Sequence, residues 1–197
     1  DVTIRDGRVT GVFSAGGIMN QSTLTIENSV ISFNRADVGA GGIRNTVDGT
    51  LILKNSAVTD NRAIMNGAGI LNAGTLTLEN STVSSNKAGR QMARSYGGGI
   101  DNHGTLILNG STVSDNVVFG WGSGIDNSGT LTLNDSTISD NDIWSAGDGG
   151  GIHNDAGTLT VNGSTISNND AKGNGGGIDN SGTMMLSDST ISNNDAG

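Results

Sequence analysis

Several side chains in this sequence recur at spacings that would suit chemistry if the repeats that carry them were stacked. The first set lies between an Ile and an Asn: Met19, Arg44, Leu71, Asp101, Asp126, His153 and Asp179. Carboxylates on neighbouring copies, about 5 Å apart, match the separation used by retaining glycosidases, and alternate copies approach the inverting distance. Two like charges so close push one pKa upward. The same oxygens suit a divalent cation such as Ca2+, with Asp101, Asp126 and Asp179 as its candidate ligands. Asp is also an inexpensive solubilising residue. The expectation is therefore an outward, hydrated column with no catalytic residue and no resident cofactor.

A second set is threonine. Thr23, Thr50, Thr75, Thr105, Thr130, Thr158 and Thr183 recur once per repeat. Two residues further on stand Thr25, Ile52, Thr77, Ile107, Thr132, Thr160 and Met185. A T-x-T array with threonines about 7 Å apart along a strand and about 4.8 Å between strands is what an ice-binding solenoid presents. Thr23, Thr25, Thr75, Thr77, Thr130, Thr132, Thr158 and Thr160 form the candidate face. High β-propensity and Thr–Thr pairing on an exposed sheet account for the same pattern. A third set sits in connections of variable length: Tyr96, Phe119, Trp121 and Trp144, with Arg90, Arg94 and Lys87 nearby. Exposed aromatics in a row suit sugar stacking or a protein contact. Folding back over the sheet is the bland alternative.

All of this requires an architecture that brings distant residues side by side. A G-I-x-N motif places its Ile at 18, 43, 70, 100, 125, 152 and 178, at intervals of 25 to 30 residues. Each repeat holds three short apolar pieces: G-I-x-N, an alternating stretch such as Thr75-Leu76-Thr77-Leu78, and a segment such as Ser81-Thr82-Val83-Ser84-Ser85-Asn86. Period-two alternation marks strands, and Gly, Asn, Asp and Ser between them mark turns. One repeat has too few apolar residues to bury alone. Stacked coils solve this, with each strand pairing in parallel with its copy about 4.8 Å away. Leu76, Leu78 and Val83 then point inward, and Thr75 and Thr77 outward. The spacing predicts about seven turns of a parallel β-helix, with three strands per turn, as a single domain over 1–197 that is expected to be a segment of a longer solenoid. At its corners the recurring Asn residues are expected to take left-handed backbone geometry and to bond up the stack as ladders. The glycines before each Ile are expected to permit tight bends or positive φ.

Composition narrows the function classes. The net charge of −9 disfavours nucleic acid and anionic membranes as partners, and no apolar run approaches the ~20 residues of a membrane span. With no cysteine there is neither a disulfide framework nor a thiolate metal site. Charge is unevenly spread: residues 1–94 hold nine basic and seven acidic side chains, whereas residues 95–197 hold Lys172 and twelve Asp.

The elements Gly97-Gly98-Gly99-Ile100, Gly149-Gly150-Gly151-Ile152 and Gly175-Gly176-Gly177-Ile178 are paired with I/V-x-x-N segments such as Ile31 to Asn34, Val58 to Asn61 and Ile166 to Asn169. This pattern resembles the repeats of bacterial polymorphic outer-membrane proteins and related β-helix surface proteins, with Ile or Val where that family has Phe. The resemblance implies a right-handed parallel β-helix of the pectate-lyase-like superfold, on the surface of a bacterium or secreted from it. Relatives of that kind are adhesins, autotransporter passengers or polysaccharide enzymes. The expected function is a non-enzymatic structural or adhesion rod. It would contact a host or glycan ligand through its loops and would associate end to end into filaments. A polysaccharide-binding or polysaccharide-degrading β-helix is the alternative, and an ice-binding protein the second alternative.

Overall fold

The computed structural model describes residues 1–11, 14–90 and 95–197. The chain winds into a parallel β-helix in which every strand pairs with its copy one turn away. The longest strands, from Thr23–Glu27 to Thr183–Ser187, form a seven-stranded sheet whose registers align Leu51 with Leu76, Leu106 and Leu131. The Ile-x-Asn strands, from Ile18–Asn20 to Ile178–Asn180, form a second seven-stranded sheet. The segments before each terminal Asn, from Thr3–Arg5 to Thr190–Ser192, form an eight-stranded third. A fourth sheet was not foreseen: two-residue strands, from Arg8–Val9 to Asp195–Ala196, follow Gly7 in the first turn and the terminal Asn in each later one. Two residues carry too little periodicity to announce a strand; pairing with the copies above and below makes them one.

Inside the coil, Ile70, Leu76, Leu78, Val83, Ile100, Leu106, Leu108 and Val113 are fully buried in one continuous core. Burial of each such side chain is worth about 1.5–3 kcal/mol. A smaller cluster of Ala63, Ala88, Val118, Ile143 and Ala171 lies behind the fourth sheet.

Polar ladders close the corners. Asn34, Asn61, Asn86, Asn116, Asn141 and Asn169 each pass a side-chain amide bond to the next turn at 2.9–3.1 Å, ending on Asn194. Asn20, Asn45, Asn72, Asn102, Asn127, Asn154 and Asn180 form a second ladder at 2.6–2.8 Å. Their backbones are not left-handed, contrary to expectation. In the first ladder positive φ falls one residue earlier, at Phe33, Asp60, Ser85, Asp115, Asp140, Asn168 and Asn193, which turns the chain so that the following Asn points inward. A serine ladder was missed altogether: the Ser111 amide donates to Ser136 Oγ, which itself donates to the Asn134 carbonyl.

Candidate functional site

The register aligns Asp101, Asp126, His153 and Asp179 on four successive rungs. Their Ile neighbours face the core, so these residues face away from it. The expected hydrated column is nevertheless overturned in its middle: Asp101 is 0% exposed and Asp126 4%. The cause is the chain entering each strand, which doubles back across it. Gly97, Gly122 and Gly149 sit there at φ of 60–70°. A Cβ on Gly122 would lie 2.7 Å from Asp126 Cα, and one on Gly149 2.6 Å from His153 Cα. Backbone without a side chain is the only thing that fits so close, and it roofs the column.

Under this roof His153 Nδ1 is 2.7 Å from Asp126 Oδ1, and its Nε2 is 3.5 Å from Asp179 Oδ2. His103, which the sequence reading did not single out, places Nε2 3.1 Å from Asp101 Oδ1 and Nδ1 2.7 Å from Ser128 Oγ. Despite that proximity neither Asp101 oxygen completes a hydrogen bond of good geometry. Burial pushes the Asp126 carboxyl up to about 6; the His153 hydrogen bond opposes this and the Asp101 charge adds to it. Burial acting alone would lower His153. The bond to Asp126 and the charges of Asp126, Asp179 and Asp155 outweigh it, and its pKa is raised. That of His103 is raised chiefly by its contact with Asp101. The arrangement can hold and share protons between rungs. Among the described residues no three His, Asp or Glu side chains are placed to hold a metal ion, so Asp101, Asp126 and Asp179 do not assemble as a cation cage. Two cavities of about 410 and 450 Å³ lie at the first turn and along the corner by Asn55 and Asn80, and neither is lined by these carboxylates.

The aromatic loops divide into two pairs. Tyr96 stacks on Trp121 at 5.3 Å between ring centroids, half-buried, and Trp121 Nε1 donates to Asp148 Oδ2 at 3.3 Å. Phe119 meets Trp144 edge to face at 5.7 Å. Trp144 is 51% exposed, with Lys87 Nζ 3.6 Å from its ring centre and its Nε1 donating to Asp142 Oδ2 at 2.6 Å. Arg90 is exposed, and Arg94 lies outside the described residues. Trp121 and Trp144 therefore do not form one ledge. Lys87, grouped with these aromatics from the sequence, does reach a ring, whereas Asp148 is a polar partner that spacing did not reveal, because loop closure brings it to Trp121.

The threonine array stands as expected from the register: Thr23, Thr50, Thr75, Thr105, Thr130, Thr158 and Thr183 pair in an unbroken line on the outer face of the long sheet. Beside it, Thr25, Thr77, Thr132 and Thr160 share their line with Ile52, Ile107 and Met185.

No curated protein and no solved structure matches the chain. Residues 15–196 match the family described as the right-handed β-helix region. With the parallel coil observed over the same residues, that match settles the hand of the winding, and the chain belongs to the right-handed β-helix family.

Proposed function

We propose that the chain is a non-enzymatic rod from a secreted or cell-surface bacterial protein, contacting a glycan or protein partner through the loop edge around Trp144. One contrast supports the reading. The two central carboxylates of the column, Asp101 and Asp126, lie beneath backbone, whereas the ring beside Lys87 stands half in solvent. A general acid or base must come within hydrogen-bond reach of its substrate, and a roofed carboxylate does not. An exposed indole with a cation over its ring suits the hydroxyls of a sugar or an acidic loop. The Gly-Gly-Ile elements support kinship with polymorphic outer-membrane proteins and hence the surface location. Binding to a polysaccharide and glycoprotein array tests the reading. Trp144→Ala is expected to weaken the best ligand at least about tenfold while the β-rich circular dichroism spectrum of the folded coil is retained. Release of reducing or unsaturated sugar ends that Asp126→Asn abolishes would overturn the non-enzymatic assignment.

A second reading has its own support in the unbroken Thr23-to-Thr183 line. An ice-binding face would shape ice crystals, and Thr77→Tyr would abolish the shaping; hexagonal growth unaffected by the wild-type chain would dismiss it.

A further inference from the structure

The fourth sheet carries charges sorted by sign along the rod. Its outward positions read Arg8, Arg35, Arg62 and Lys87 on four successive rungs, then Val117, then Asp142, Asp170 and Asp195 on the next three, all paired in register. The alternate residues, such as Ala63, Ala88, Val118 and Ile143, are buried, which fixes the outward direction of the charged ones. Like charges directly opposite on adjacent parallel strands, about 4.8 Å apart, destabilise a sheet. Relief within the chain is partial. Arg35 Nε lies 3.8 Å from Asp37, while Lys172 bonds to Asp170 and stands 3.9 Å from Asp142. Among the described residues Arg8 and Arg62 make no ion pair. Four cations against one carboxylate at one end thus face three carboxylates against one cation at the other. The Lys87 pKa is lowered, first by burial and then by the charge of Arg62.

We propose that this stripe is the docking surface for a second copy of the chain, laid alongside in the opposite direction about a two-fold axis at Val117. Reversal about that axis sets Lys87 against Asp142, Arg62 against Asp170 and Arg35 against Asp195 of the other copy, twice over. The same patch is used on both copies, as an isologous contact requires. A parallel, in-register pair would set like on like along the whole stripe, so the sign order selects one direction. The matched rungs extend about 29 Å, six steps of about 4.8 Å. A different partner, uniformly acidic or basic, would be met by only half of the stripe. The net charge of −9 on each copy works against association, so the attraction is local and its affinity modest.

Sedimentation velocity of the 197-residue chain, with folding followed by circular dichroism, tests the proposal. In about 50 mM salt a concentration-dependent dimer is expected, weakened at least about tenfold in about 500 mM salt. Arg62→Glu and Asp170→Lys are each expected to weaken it about tenfold or more, because each creates two like-charge contacts across the axis. The double variant Arg62→Glu/Asp170→Lys is expected to restore the dimer, since both reversed charges again meet opposites. It also keeps the net charge of the natural chain, which removes overall repulsion as the explanation. A monomer at about 300 μM in low salt, a dimer indifferent to both single changes, or a double variant that fails to recover would each overturn the proposal. Arg62→Glu keeps Phe119, Trp144 and Lys87 and alters only the charge beside Lys87, so loss of the dimer with ligand binding retained separates this inference from the loop-edge reading.

Discussion

Replacing Asn116 by Ala tests whether the interior ladder holds the coil together. Asn116 is fully buried, and its Oδ1 accepts the Asn86 backbone N–H and Asn86 Nδ2, both at 3.0 Å. Its Nδ2 donates to the Val83 carbonyl and to Asn141 Oδ1, both at 3.0 Å. Alanine strips all four bonds, while Asn86 Nδ2 keeps its bond to the Val58 carbonyl at 3.0 Å. The buried Asn86 N–H loses its acceptor, which costs about 1–3 kcal/mol, and the remaining bonds cost about 0.5–1.5 kcal/mol each. Allowing for relaxation, the expected loss is about 3–5 kcal/mol, or a fall in melting temperature of roughly 6–20 °C for a domain of this size. Asn134 supplies the control. It sits in an outward ladder, donating to Asn109 Oδ1 at 2.9 Å and accepting from Asn162 Nδ2 at 3.1 Å. Water can replace those bonds, so Asn134→Ala is expected to cost under about 1 kcal/mol. Equilibrium unfolding in urea, compared at equal m-values, reads both. If Asn116→Ala costs no more than Asn134→Ala, the ladder is decoration and this account of the corners fails.

Three further outcomes follow from the same geometry. Gly122→Ala should destabilise by several kcal/mol in a thermal melt, because φ of 61° and a Cβ 2.7 Å from Asp126 Cα leave no place for a methyl group. Ser136→Ala should cost about 1–3 kcal/mol by leaving the Ser111 amide without its acceptor; a change within error would mean that water takes over the bond. Stability should also fall as pH rises. Asp126 is raised from 3.8 to about 6, so its burial cost is absent below 3.8, grows between these values and is complete above 6, on the order of 3 kcal/mol. His153 and His103 are raised above 6.5, so their contributions are present below that value and lost as pH climbs through their folded pKa values. A urea-midpoint profile that Asp126→Asn leaves just as steep between pH 4 and pH 6 would contradict the assignment.

Most of the fold was legible because inward residues repeat with their own period. Ile100, Leu106, Leu108 and Val113 and their copies announce the coil, and the buried Asn at each corner follows from the same spacing. The site was legible only in its columns. Asp101 and Asp126 are aligned as the repeat requires, but which way a column faces does not settle what lies over it. Their roof comes from Gly97 and Gly122, glycines whose positive φ could be anticipated but whose folding across the neighbouring strand could not. Likewise Tyr96, Phe119, Trp121 and Trp144 share an edge, yet their sorting into two pairs depends on loop closure. The serine ladder had a signal that went unused: Ser29, Ser56, Ser81, Ser111, Ser136, Ser164 and Ser189 recur without a gap.

The division between inward and outward positions bears on what the charges mean. Every turn is held by the same core residues and the same Asn and Ser ladders, so the coil closes whether the outward residue of the fourth sheet is Arg62, Val117 or Asp170. Solubility would be served by any mixture, and stability best by alternating signs, since each charge would then lie beside its opposite about 4.8 Å away. The observed order does the reverse, placing cations beside cations and carboxylates beside carboxylates. Such an order weakens the lone rod and gains its compensation when something of opposite order lies against it. The same stripe, turned end for end, has that order.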